Sequence, residues 1–158
     1  MIKSRLSIVM ALQNIRTIKQ IQIEANISWD ILDKLMTNID IDKMRMKNIL
    51  KVCKCLNCKF EDLINIKYPY DTITLMHKSP NNLTNLKILM SLRDIDTQNE
   101  LIKLTGVSWS VIKKISDGKD LETIELYNYL KICAGLNCKV EDLLNFNYEY
   151  EPIELILN

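Results

Sequence analysis

The chain has 158 residues, of which 47% are hydrophobic and 26% are charged, and its formal net charge is +1. This balance is typical of a folded globular protein and excludes long disordered segments. Only three Gly and three Pro occur, too few for a β protein with regular turns, so we expect an all-α fold. No apolar run approaches the roughly 20 residues of a bilayer span, and we expect a cytoplasmic protein with no membrane partner.

Capping and turn residues divide the first half of the chain into short helices. Thr17 and Ser28 each precede a segment with helical apolar spacing, where a side-chain hydroxyl accepts from the free amides of a first helical turn. Asn26 and Asn38 follow such segments, and Asn tolerates the left-handed backbone that ends a helix. These residues predict a helix, a tight turn and a second helix.

The next predicted elements are a helix and a strand. Met46, Ile49, Leu50 and Cys53 fall at i, i+3, i+4 and i+7, which places them on one buried helical stripe. The later segment "YDTITLM" at residues 70–76 alternates in part and is rich in β-branched residues, which predicts a short strand.

The same pattern recurs 80 residues later, without a gap. "KVCKCLNCKFEDLI" at residues 51–64 matches "KICAGLNCKVEDLL" at residues 131–144, and about a third of the positions from 6 to 76 are identical in the second copy. We predict two repeated five-helix units, residues 1–76 and 85–158, with a linker at residues 77–84. Each unit ends in a strand, and the strands at 70–76 and 151–157 would pair with each other or between chains.

Three cysteines of the first copy, Cys53, Cys55 and Cys58, suggest a metal or redox site. The second copy keeps the first and third of these thiols but has Gly135 in the place of Cys55. We therefore expect small buried apolar side chains, with no metal and no cofactor, and a metal or redox role as the alternative.

Catalytic motifs are missing from the sequence. It contains no Gly-rich phosphate loop and no Ser-His-Asp set. The acid pairs Glu61-Asp62 and Glu141-Asp142 fall in predicted first turns, where negative charge suits the helix dipole. We therefore expect a protein that is not an enzyme.

The second copy resembles the helix-turn-helix of phage-repressor and Cro-like regulators, the XRE family. The resemblance rests on the Thr-Gln pair at 97–98, the Gly-Val-Ser turn at 106–108, the glycine at 118 and the ending "LNCKVEDLL". It implies a regulator that binds double-stranded DNA with a recognition helix in the major groove. The first copy matches the family pattern less well.

The resemblance implies candidate DNA contacts in the second copy. Trp109, Ser110 and Lys113 would meet base edges at the start of the recognition helix, while Ile112 and Ile115 would face the core. The full candidate set adds residues beside these and near phosphate: Thr97, Gln98, Ser108, Trp109, Ser110, Lys113, Lys114 and Lys119.

The recognition helix of the first copy differs in charge. Trp29, Asp30 and Asp33 lie on its predicted surface, and phosphate would repel the two acids. Lys34 alone is favourable there, and Ile18 replaces the glutamine of the motif. We predict that this helix does not read DNA in the family's manner, and Trp29, Asp30, Asp33 and Lys34 become candidate partner-binding residues.

Charge keeps two functions open. Residues 1–68 hold 12 Lys or Arg against 7 Asp or Glu, a balance of +5, while residues 81–148 hold 8 against 9, a balance of −1. The copy with the better motif thus lacks the basic field of a nucleic-acid binder. The leading hypothesis is a non-catalytic DNA-binding transcriptional regulator. The alternative is a helix-turn-helix scaffold that binds a protein, such as a phage or mobile-element inhibitor of a host nucleic-acid enzyme; RNA binding and a homodimer also stay open.

Overall fold

The computed structural model describes residues 1–78 and 81–155. The chain forms two compact units. Unit 1 comprises Met1–Lys67 and the segment that begins at Tyr148, and unit 2 is Tyr68–Asn147. Each unit therefore contains one repeat of the sequence together with the tail that follows the other repeat. The predicted domain boundaries at residues 76 and 85 mark the ends of the sequence repeats. That each repeat folds as a separate domain stays a prediction.

Five α-helices lie in the described part of each unit, so the all-α tandem repeat is confirmed. In unit 1 they are α1 (Leu6–Leu12), α2 (Ile18–Ala25), α3 (Trp29–Thr37), α4 (Met46–Cys55) and α5 (Phe60–Leu63). In unit 2 they are α6 (Leu86–Leu92), α7 (Gln98–Thr105), α8 (Trp109–Asp117), α9 (Leu126–Leu136) and α10 (Val140–Leu143). A 3-10 turn precedes α4 at Ile41–Lys43 and α9 at Leu121–Thr123. No helix in the described residues is long and apolar enough to span a membrane.

A small sheet that the sequence did not predict closes unit 1. Strands β1 (Ile2–Ser4) and β2 (Ile64–Ile66) pair antiparallel, with Ile2 opposite Ile66. In unit 2 the same place holds a single antiparallel bridge between Thr84 and Leu144. The start and the end of each repeat are thus tied together by backbone hydrogen bonds.

The prediction of a strand at the end of each repeat is wrong for the described residues. Residues 70–76 make only one isolated bridge, in which Ile73 lies parallel to Cys138, and residues 151–155 form no strand; residues 156–157 of the second predicted strand lie outside the described chain. The backbone of each tail bonds to a loop of its unit instead, because Ile73 N donates to Asn137 O (2.7 Å) and Ile153 N to Asn57 O (2.8 Å). Among the described residues, neither segment therefore forms the strand that the predicted pairing requires.

Two tyrosines fix the tail of unit 1 to the start of α5. The Tyr148 hydroxyl accepts a hydrogen bond from Phe60 N (2.8 Å), and the Tyr150 hydroxyl donates to Cys58 O (2.8 Å). Burial raises the pKa of both phenols above the usual value.

The tail of unit 2 makes the same two bonds at the start of α10. The Tyr68 hydroxyl accepts from Val140 N (3.0 Å), and the Tyr70 hydroxyl donates to Cys138 O (3.1 Å). Tyr68 follows the first repeat in sequence but contacts the second, while Tyr148 follows the second repeat and contacts the first. The two tails are therefore exchanged between the repeats.

The predicted turns around the recognition helices are confirmed. Asn26 and Asn38 have φ of 50° and 60°, and their counterparts Gly106 and Gly118 have φ of 70° and 65°. These left-handed residues end α2, α3, α7 and α8 in turn. Gly and Asn adopt this conformation at the least cost, so the two repeats meet the same backbone requirement with different residues.

The predicted caps are half correct. Thr17 accepts from Gln20 N (3.3 Å) and so caps α2, and Thr97 caps α7 in the same way. Ser28 and Ser108 occupy the cap positions of α3 and α8, but neither hydroxyl accepts from a helix amide. The prediction of their position was therefore right and that of their hydrogen bond was wrong.

Candidate nucleic-acid interface

The helix-turn-helix of unit 2 consists of α7, the turn at residues 106–108, and α8. Val107 in the turn is buried, and this anchors the turn in the core. Ile112 and Ile115 of α8 are fully buried, as predicted. The opposite face of α8 therefore points to solvent, and it carries Trp109, which is 56% exposed.

The exposed face of α8 brings four candidate residues together. Ser108 and Ser110 lie at its start with their hydroxyl oxygens 3.2 Å apart. The Lys113 ammonium lies 5.7 Å from the ring centroid of Trp109. It also lies 3.2 Å from a carboxylate oxygen of Asp117, one turn later. The face thus offers hydroxyl donors and acceptors, an indole ring and one cation whose charge is partly balanced.

The candidates at the start of α7 serve the fold as well. Thr97 is exposed and accepts from Glu100 N (3.2 Å), which caps the helix. The Gln98 side-chain amide is half-buried and donates to the Ser116 hydroxyl near the end of α8 (3.1 Å). Gln98 therefore holds α7 against α8, and its second amide hydrogen is the donor left for a phosphate oxygen.

The last two basic candidates differ in exposure. The half-buried Lys114 donates to the Thr123 hydroxyl in the 3-10 turn (3.4 Å), so its ammonium points away from the exposed face of α8. Lys119 directly follows the left-handed Gly118 and is exposed. The contact partners Ser116, Asp117 and Thr123 were not predicted. Of these, only Asp117 had a signal in the sequence, because it lies four residues after Lys113 on one helical face.

The recognition helix α3 of unit 1 presents a different surface. Trp29 is 54% exposed, so it lies on the surface and not in the core. Asp30 and Lys34 form an ion pair of 2.9 Å, and Asp33 is exposed beside them. Because Lys34 is balanced by Asp30, the free charge on this face is that of Asp33, and the face is unfavourable to phosphate.

The environments of Cys53 and Cys55 raise the pKa of each thiol and so favour the protonated form. The hydrogen bond with Cys58, followed by burial, raises the pKa of Cys53 well above the usual value. Burial, followed by the hydrogen bond to Glu24, raises the pKa of Cys55 to about 11. Since the thiolate is the nucleophile and the metal ligand, these environments favour the structural interpretation. Within the described residues, no group of three His, Cys, Asp or Glu is placed to hold a metal.

Both repeats match one family of known domains. The profile of the Cro/C1-type helix-turn-helix DNA-binding domain matches residues 5–68 and again residues 85–149. The chain belongs to this Cro/C1-type family. The resemblance of the second copy to phage-repressor and Cro-like regulators is thereby confirmed, and the first copy matches over nearly the same length. Comparisons with curated proteins and with solved structures found no match.

α3 and α8 are the second helices of the two Cro/C1-type helix-turn-helix motifs. The family is one of DNA-binding domains, and the exposed polar face of α8 suits an anionic partner better than the acidic face of α3 does. The two Cro/C1-type domains of this chain therefore differ in the charge on the exposed face of the second motif helix.

Proposed function

We propose that the chain is a transcriptional regulator that binds double-stranded DNA and reads bases with unit 2. The observation that carries the proposal is the exposed face of α8, where Trp109, Ser110 and Lys113 lie opposite the buried Ile112 and Ile115. The protein would act in the cytoplasm, without a cofactor and without catalysing a reaction. A homodimer is not required, because one chain already supplies two helix-turn-helix domains.

In this proposal α8 enters the major groove, which admits an α-helix. The Ser110 hydroxyl can donate to or accept from a base edge, and the Trp109 ring can contact a thymine methyl. Lys113 leaves Asp117 and donates to guanine or to phosphate. An exposed ion pair of this kind is worth about 0.3–0.5 kcal/mol on a helix, so its loss opposes binding only slightly.

The test exchanges one residue between the two recognition helices. Lys113 and Asp33 occupy the same position of the repeat, so Lys113→Asp and Asp33→Lys are reciprocal variants with opposite charge changes. Duplexes selected from genomic fragments with the full chain would be used in gel-shift assays. We expect Lys113→Asp to weaken binding by about 10- to 100-fold, since one good base contact is worth roughly 1–3 kcal/mol, and to relax the preference for the selected sequence.

The reciprocal variant and a neighbouring lysine serve as controls. Asp33→Lys should keep the wild-type sequence preference, and Lys114→Ala should have a small effect because its ammonium bonds to Thr123. Wild-type affinity for the selected duplex in the Lys113→Asp variant would contradict the proposal.

A second function, binding of a protein partner, is favoured by the face of α3. Trp is enriched at the centres of protein interfaces, and Trp29 is exposed beside the acidic Asp30 and Asp33. A pull-down from nuclease-treated host lysate would compare the wild-type chain with Trp29→Ala and Trp109→Ala. A stoichiometric partner that is lost only with Trp29→Ala would support this function. Loss of all partners on nuclease treatment would favour DNA, or RNA if ribonuclease alone removes them.

A further inference from the structure

Four basic side chains surround the starts of two helices in unit 1. Arg16 precedes the cap of α2 and Lys19 is its second residue, while Arg45 occupies the cap position of α4 and Lys47 is the second residue of that helix. Arg16, Lys19 and Arg45 are exposed, and Lys47 is half-buried. Across residues 1–78 and 81–155, none of the four takes part in an ion pair. We refer to these four residues as the basic cluster.

The basic cluster lies at the starts of two helices that pack against each other. The helices pack side by side, and their last turns meet where the Cys55 thiol donates to a carboxylate oxygen of Glu24 (3.5 Å). Both helices run away from this contact toward their starts, so the four side chains lie on the part of unit 1 remote from Cys55 and Glu24. At 1.5 Å per residue, the start of α2 lies roughly 9 Å and that of α4 roughly 14 Å back from this contact.

This part of unit 1 is suited to anions. The first amides of a helix carry a partial positive charge and point out of its start, so they attract phosphate. Two such starts and four unpaired cationic side chains reinforce each other. Lys43 is also near the start of α4, but it is paired with Asp40 at 2.8 Å, and it is left out of the cluster for that reason.

The second repeat lacks this charge. The residues at the positions of Arg16, Lys19, Arg45 and Lys47 are Asp96, Asn99, Glu125 and Tyr127. Asp96 and Glu125 would repel phosphate where the first repeat attracts it. The recognition helices differ in the opposite sense, since unit 1 has Asp30 and Asp33 at the positions of Ser110 and Lys113.

We infer that the two units divide DNA binding between them: unit 1 holds the phosphodiester backbone through the basic cluster without reading sequence, and unit 2 reads the bases. This inference rests on the proposed function. The basic cluster supplies affinity that depends strongly on salt, because each phosphate it neutralises releases condensed counterions. The DNA site should therefore carry sequence information for one recognition helix only, and it should lack the two-fold symmetry of a site read by two equal domains.

The test removes two charges of the basic cluster from the full chain. Arg45→Gln with Lys47→Gln is compared with Lys3→Gln with Lys67→Gln, which removes two charges from exposed residues at the β1–β2 sheet of the same unit. Affinity is measured against salt for the selected duplex and for a scrambled duplex of equal length. Thermal unfolding of both variants shows that they are folded.

We expect the cluster variant to lose affinity for both duplexes by the same factor, about tenfold or more at low salt. The slope of log affinity against log salt should fall by about 2, since each phosphate contact contributes roughly 0.9. The control variant should keep the wild-type slope. Substitution of each base pair in turn should reveal one contiguous block of informative positions.

Three results would overturn the inference. The cluster variant could match the control variant, it could lose affinity for the selected duplex alone, or the base substitutions could reveal two informative blocks. Each of these leaves the proposed function standing, because the wild-type chain still binds the selected duplex. If the wild-type chain binds neither duplex, the proposed function fails and this inference fails with it.

Discussion

Cys55 and Gly135 occupy the same position in the two repeats, and each fits the side chain that it faces. A Cβ atom on Gly135 would lie 2.7 Å from Cγ2 of Thr105, closer than two carbon atoms approach. Thr105 is held in place because its hydroxyl donates to Leu101 O (2.7 Å). In the first repeat the position of Thr105 is Ala25, and this smaller side chain leaves room for Cys55. The difference between Cys55 and Gly135 thus follows from the space that the facing residue leaves.

The pair formed by Gly135 and Thr105 leads to a prediction for stability. Gly135→Ala gains about 1 kcal/mol of helix propensity but overpacks the contact with Thr105, which costs roughly 1–3 kcal/mol. We expect a net loss of about 1 kcal/mol in the free energy of unfolding. In a Thr105→Ala background the same change should stabilise the protein by about 1 kcal/mol. Urea unfolding of the two single variants and the double variant measures the coupling, and additive effects would contradict the contact.

At the scale of the element, two helices of the second repeat begin with different kinds of cap. The Thr97 hydroxyl accepts from Glu100 N (3.2 Å) and so satisfies an amide in the first turn of α7. The Ser108 hydroxyl at the start of α8 lies 3.2 Å from the Ser110 hydroxyl and accepts from no helix amide. Two residues that look alike in sequence therefore contribute differently to their helices.

The difference between the caps predicts unequal losses on substitution by alanine. Thr97→Ala should lower the free energy of unfolding by about 1 kcal/mol, the typical value of a lost N-cap bond. Ser108→Ala should lower it by only a few tenths of a kcal/mol, because no capping bond is lost. Chemical unfolding of both variants under one condition measures the difference. Equal losses would show that Ser108 also caps its helix in solution.

Elements with a strong local signal were predictable from the sequence, and those that depend on distant partners were not. The helices around the motif follow from the apolar period and from the left-handed positions 26, 38, 106 and 118. The segment at residues 70–76 has the alternation of a strand, but its hydrogen-bonding partners are the loop at Asn137 and the α10 carboxylate of Asp142. Nothing within the segment encodes those partners, so its alternation was misleading.

The candidate site was predictable in outline for the same reason. The buried Ile112 and Ile115 follow from helical period, and they fix which face of α8 is exposed. The second role of Gln98, which binds Ser116 eighteen residues later, depends on how two helices pack. The basic cluster was equally hidden, because a count of +5 over residues 1–68 does not show which charges lie at the starts of packed helices.

At the scale of the whole molecule, the exchanged tails make each unit depend on residues from both repeats. Tyr68 and Tyr148 occupy the same position of the repeat, so the sequence pattern is equally consistent with a tail that folds back onto its own repeat. The hydrogen bonds decide the matter, since Tyr148 contacts Phe60 and Tyr68 contacts Val140. Neither repeat, cut at its own end, would contain all of the contacts of a unit.

This arrangement predicts that a tail substitution destabilises the repeat that is distant in sequence. Tyr148→Phe keeps the ring but removes the hydroxyl that accepts from Phe60 N. Loss of a partner for a buried amide costs roughly 1–3 kcal/mol, and we expect this loss in unit 1. Tyr68→Phe removes the bond to Val140 N, so it should affect unit 2 by a similar amount.

Native-state hydrogen exchange resolves the two units within one sample, because it reports the stability of each helix separately. In Tyr148→Phe, amides of α4 and α5 should exchange faster while those of α9 and α10 keep their wild-type rates. In Tyr68→Phe, amides of α9 and α10 should exchange faster while those of α4 and α5 keep their wild-type rates. Each variant is therefore the control for the other. Faster exchange in the repeat that directly precedes the substituted tail would mean that the tails are not exchanged in solution.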